Sequence, residues 1–138
     1  ADGFEKNQSG AIARPRLRVS SATNSTNVAV SFKQAIGGDY TKPADSTANK
    51  IRTQDGGKAW QLVAENQSPG YRSCVQYVPN SGGEELVTIG FNGIDYSNDS
   101  GDLWTHLSDE GFYTIRFLND SIAYAAGNGR ISKLTFKE

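Results

Sequence analysis

The sequence predicts an all-β chain of four-stranded antiparallel blades of the β-propeller kind, about three of them, the last incomplete. Three observations lead there. The octet Thr53-Gln54-Asp55-Gly56-Gly57-Lys58-Ala59-Trp60 returns 44 residues later as Ser97-Asn98-Asp99-Ser100-Gly101-Asp102-Leu103-Trp104, and a period of about 40–45 residues fits one four-stranded blade. Short alternating runs flank both octets, with an Asp-Gly or Ser-Gly turn between them, as a tight hairpin requires. The composition agrees: 15 Gly among 138 residues and a hydrophobic fraction of only 36% suit many short strands and many turns. No stretch sustains the 3,4 spacing of a helix.

Residues 1–26 read as an N-terminal segment whose first 15 residues lack periodicity and which ends in a first strand, "RLRVSS" (16–21). A blade over 27–66 follows: "NVAVSFK" (27–33) as a strand, a long polar loop "GGDYTKPADSTAN" (37–49), then "KIRT" and "AWQLV" on either side of the first Asp turn. The blade over 67–110 is the most regular. "YRSCVQYVP" alternates, "EELVTIG" is a continuous apolar run suited to an inner strand, "FNG" turns, and "IDYS" and "LWTHLS" complete four strands. A partial blade over 111–138 has "GFYTIRFLND", "SIAYAAG", the turn "GNG" and "RISKLTF", with no fourth strand and no Asp turn.

Charge bounds the function. With 14 basic and 15 acidic residues, a general electrostatic attraction to nucleic acid is not expected. No apolar run reaches the roughly 18 residues of a membrane span, and no signal-peptide pattern is present. Cys74, the single cysteine, cannot form an internal disulfide and reads as a small buried apolar side chain. The absence of Met suggests a processed form or a piece of a longer protein. A propeller closes with about four to eight blades, so about three imply self-association or a missing partner fragment. The fourth strand of the last blade could be added by the N-terminal segment or by another chain.

The pattern Ser/Thr-x-Asp-x-Gly-x-x-Trp resembles the Asp-box, the BNR repeat of sialidase-like propellers. The ordered series "GGDYTKP", "TQDGGKAW", "YRSCVQYVP", "GIDYSNDSG…W", "GFYTIRF" and "GNGRISKL" is similar to the C-terminal blades of bacterial proteins related to the photosystem II stability/assembly factor, over about residues 27–138. That resemblance implies a seven-bladed propeller, extracytoplasmic in many members, often without known activity and often labelled oxidoreductase or glycosyl hydrolase. The chain departs from it in length, and the segment before residue 27 has no counterpart.

Chemically, the Asp-box residues Thr53, Asp55, Gly57, Trp60, Ser97, Asp99, Gly101 and Trp104 all have structural work. Asp and Ser/Thr side chains accept bonds from their own turn, Gly supplies positive φ, and Trp packs beneath. A calcium loop at Asp99-Ser100-Gly101-Asp102 would be too short to supply six to eight oxygens. No metal or cofactor is expected. The turns joining second to third strands, and the links between blades, fall at the opposite end. They carry the candidate binding residues Asp39, Tyr40, Tyr71, Arg72, Arg116 and Arg130, with Phe112 and Tyr113 nearby. Each Arg either sits on a solvated strand face paired to a neighbouring Asp, or joins a cluster that clasps an acidic ligand or peptide terminus. His106 reads as exposed on an outer strand. "RPRLR" (14–18) reads as a polar strand face. The expected function is a non-catalytic binding or assembly scaffold for a protein partner or small acidic ligand. A sialidase-like glycoside hydrolase is the alternative, although nothing in the spacing marks its arginine triad or its nucleophile.

Overall fold

In a computed structural model, residues 27–30 and 34–136 are described, and they are all-β. Among these described residues eleven strands form three antiparallel sheets. Sheet 1 has β1 (Asn27–Val30), β2 (Gln34–Gly38), β3 (Lys50–Arg52) and β4 (Gln61–Val63). Sheet 2 has β5 (Cys74–Tyr77), β6 (Leu86–Gly90), β7 (Gly93–Ser97) and β8 (Thr105–Ser108). Sheet 3 has, among the described residues, β9 (Thr114–Phe117), β10 (Ile122–Gly127) and β11 (Arg130–Thr135). In every sheet each strand pairs with its sequence neighbour.

Sheet 2 lies between the other two, and its period-two alternation explains why. Val75 and Leu86 point one way and pack with Ile36 of sheet 1, with Tyr77 and Trp104 at the edge. Val87, Ile89 and Ile94 point the other way and pack with Ile115, Ala123 and Ala125 of sheet 3 and with Phe112 of the β8–β9 link. A strand buried on both faces needs apolar residues at successive positions. The run Leu86–Gly90 supplies them, and all five of its residues are buried.

The first sheet departs from the sequence reading. β1 covers Asn27–Val30 of the strand expected over 27–33, whose residues 31–33 lie outside the described residues, and an unexpected β2 over Gln34–Gly38 takes in the first two residues of the expected polar loop. Gln-Ala-Ile-Gly-Gly carries one β-branched residue and two glycines, so propensity argues against a strand. Packing overrides it, because all five residues are buried. The expected strand over 16–21 and the basic cluster over 14–18 lie outside the described residues.

The topology sorts the turns by end. Both Asp turns join a third strand to a fourth, β3 to β4 and β7 to β8. The β2–β3 loop, the β6–β7 and β10–β11 turns, and the links β4–β5 and β8–β9 gather at the opposite end, called the link end below.

Candidate functional site

The two Asp turns repeat each other bond for bond. Thr53 Oγ1 donates to Asp55 Oδ1 (2.9 Å) and accepts from Gly57 N–H (2.9 Å), and Asp55 Oδ1 also accepts from Ala59 N–H (2.9 Å). In the second turn Ser97 Oγ donates to Asp99 Oδ1 (2.8 Å) and accepts from Gly101 N–H (2.9 Å), while Asp99 accepts from Leu103 N–H (2.9 Å). The indole N–H of Trp60 donates to Gly57 O (3.2 Å), and that of Trp104 to Gly101 O (3.1 Å). These bonds stabilise the carboxylates. The Ala59 N–H and Thr53 hold the Asp55 carboxyl below its usual range. Burial opposes the charge of Asp99, yet its bonds from Leu103 and Ser97 outweigh it. The eight residues therefore form two self-contained clips, and the side chains that look most like chemistry are engaged within them.

Between the clips lies a cleft of about 290 Å³, walled by Arg52, Tyr77, Gly83, Asp99 and Asp102 among others. Arg52 crosses from sheet 1 to the second clip, donating through Nη1 to Ser100 O (2.8 Å) and Asp102 Oδ1 (3.1 Å). Beside Arg52 in register stands Gln34, which is fully buried. Among the described residues neither polar atom of its amide has a partner, nor does Arg52 Nε.

The six candidate binding residues are all at or near the link end but do not converge. Only one hydrogen bond joins any two of them, from Arg72 Nη1 to Tyr71 O. Asp39 accepts two bonds from its neighbour Thr41, which hold its carboxyl low, and Tyr40 beside it is exposed. The Tyr71 ring lies 5.8 Å from that of Phe91, and burial pushes its hydroxyl pKa up. Arg116 folds back on its own strand, donating to Ile115 O (2.8 Å) and Thr114 Oγ1 (3.2 Å). Arg130 pairs with Glu110 (2.8 Å) and sits over the Phe112 ring, 4.2 Å from its centre.

Of the two readings given for the arginines, Arg72 has the pairing to an Asp, but it is buried and not on a solvated face: it grips Asp95 Oδ2 through Nη2 (2.6 Å) and Nε (2.7 Å). The reason is Asp95. This carboxylate sits on a buried position of β7, and a buried charge requires a paired, hydrogen-bonded counter-charge. The other oxygen of Asp95 meets His106 Nδ1 at 2.9 Å across the β7–β8 register, and His106 Nε2 meets Asp109 at 2.7 Å. His106 is thus half-exposed rather than free. Its bond to Asp95, then that to Asp109, hold its pKa above the ordinary 6.5.

Sequence reasoning missed this chain of Arg72, Asp95, His106 and Asp109. Its trace was an Asp in the middle of "GIDYS", an inward position that should have demanded a partner. Lys50 was missed as well. It is buried at the start of β3, with Nζ donating to Ala48 O (2.9 Å) and Pro69 O (3.0 Å). Among the described residues no group of three His, Cys, Asp or Glu side chains is placed to hold a metal ion. No helix among them is long and apolar enough to cross a membrane. Searches against family models, curated proteins and solved structures found no match to this chain.

Proposed function

We propose that the chain is a non-catalytic binding or assembly scaffold built of propeller-type blades, of the kind its sequence resembles, and that it takes an acidic segment of a protein partner on its link end. One observation carries the reading: Tyr40, Phe91 and Tyr113 are all exposed at that end, one from each of three connections, with the Tyr71 ring tilted against Phe91 and Arg130 on the turn at the same end. Exposed Tyr, Phe and Arg gathered on one surface are the residues from which interface hot spots are made. The paired state of the link-end ions supports binding over catalysis. Arg72 is engaged with Asp95 and Arg130 with Glu110, so among the described residues no three arginines converge on one carboxylate as the sialidase-like alternative requires.

A labelled oligoglutamate peptide is the probe. Binding is expected, weakened about 5- to 30-fold by Tyr113→Ala or Arg130→Ala, the range of an anchor worth about 1–2 kcal/mol, and unaffected by Leu103→Ala at the other end. Turnover of a sialoside or aryl glycoside by the pure protein, or peptide binding indifferent to both link-end variants, would overturn the reading.

A further inference from the structure

We propose that His106 is a proton-operated latch on the β8–β9 link. The inference rests on the binding reading only in that the link carries Tyr113; its own basis is donor-acceptor chemistry. Both ring nitrogens of His106 face carboxylate oxygens, Nδ1 that of Asp95 and Nε2 that of Asp109. An ionised carboxylate only accepts hydrogen bonds, and a neutral imidazole has one N–H and one bare lone pair. Both contacts are therefore hydrogen bonds only in the imidazolium. On deprotonation one nitrogen must turn its lone pair toward a carboxylate.

Burial decides which contact is lost. Asp95 is shut off from water, and its other oxygen is already held by Arg72, so losing the Nδ1–H would leave a buried acceptor short of a donor. Asp109 is almost fully exposed, at 97%, and water replaces its partner at once. The remaining proton stays on Nδ1 and Asp109 is released. The charged groups that meet the imidazole or its partners are Asp95 on β7, Asp109 on the link, and Arg72 behind Asp95.

The consequence falls on one stretch of backbone. Beyond Gly111 the link is fastened independently of His106: Phe112 N–H donates to Gly90 O (3.1 Å) and Tyr113 N–H to Ala126 O (2.8 Å), and Phe112 is in the core. Before Gly111 the fastenings are the His106–Asp109 contact, the bond from Glu110 N–H to Ser108 Oγ (3.0 Å) and the exposed Glu110–Arg130 pair. Releasing Asp109 loosens Asp109 and Glu110, and so weakens the Glu110–Arg130 pair at the binding end, while Arg130 keeps its bond to Gly111 O (3.2 Å) and its place over the Phe112 ring. The latch is closed in acid and open in base.

The chain contains one His, so its ring nitrogens titrate without overlap in NMR. The midpoint is expected above the ordinary histidine value, and lower in Asp109→Asn, a substitution at an exposed position that does not threaten folding. The hydrogen-exchange protection of the Glu110 amide, corrected for intrinsic base catalysis, is expected to fall about fivefold as pH passes the midpoint, the equilibrium factor of a roughly 1 kcal/mol ion pair. In Asp109→Asn it should stay level with pH. A midpoint that Asp109→Asn does not move, or protection that ignores pH in the native chain, overturns the latch. Neither readout involves a partner: a titrating link in a protein that binds no acidic peptide would sink the binding reading alone, and peptide binding over a pH-invariant link would sink the latch alone.

Discussion

A β-carbon added at Gly101 would lie 2.5 Å from Gln34 Nε2, on a residue whose φ is +91°. The second clip thus presses on the buried amide of sheet 1. Gly56, with φ of +75°, has open space around it. Gly101→Ala is expected to destabilise by about 2–3 kcal/mol, combining backbone strain with a displaced side chain, and Gly56→Ala by about 1 kcal/mol from strain alone. Urea midpoints separate the two, and equal losses would mean that the contact with Gln34 contributes nothing. Gln34 itself is a buried amide without partners among the described residues, and such groups cost about 1–3 kcal/mol. Gln34→Met keeps the length and removes the polar atoms, so it should raise the urea midpoint, by about 1 kcal/mol in stability.

The elements differ in how openly the sequence shows them, and each difference has a physical cause. The Asp turns are legible because every bond within a clip joins residues no more than four apart, so the spacing and the chemistry are one signal. β6 is legible because burial on both faces writes a continuous apolar run. β2 is hidden because neighbouring elements, not its own Gln-Ala-Ile-Gly-Gly, make it a strand. The charged chain of Arg72, Asp95 and His106 is hidden too. Arg72 lies 23 residues before Asp95, and His106 meets it only through the β7–β8 register.

Lys50 is the same kind of long-range device, tying the β2–β3 loop to the β4–β5 link through Ala48 O and Pro69 O. Burial, then the charge of Arg72, pushes its pKa down from 10.5 to about 8, with Asp45 opposing. Between those values the unfolded chain holds a proton that the folded chain has released, so this group makes stability rise with pH across that window. Lys50→Met should flatten the rise. Urea midpoints from pH 8 to 10 check it, and an unchanged slope in the variant would assign the effect elsewhere. His106 has the opposite sign. Its raised pKa stabilises the fold fully below about pH 6.5, and the contribution is lost as pH climbs through the folded-state midpoint.

Across the molecule, the three sheets are not equivalent partners. Sheet 2 packs on both faces, with Ile36 on one side and Phe112, Ile115, Ala123 and Ala125 on the other. Ile89→Ala in its middle should cost about 2–5 kcal/mol and loosen sheet 3 along with sheet 2, measurable as faster hydrogen exchange in both. Loss confined to sheet 2 would mean that the shared core does not bind the two sheets into one cooperative unit. The repeat that made the architecture readable also built two natural reporters. The chain has two tryptophans, each tied by its indole N–H to the glycine carbonyl of its own clip. Ultraviolet emission therefore reads sheet 1 through Trp60 and sheet 2 through Trp104, and single Trp→Phe variants separate the two signals. Sheet 3 carries Tyr124 but no tryptophan, so a melt followed by tryptophan-selective emission can look complete and two-state while saying nothing directly about that part of the protein.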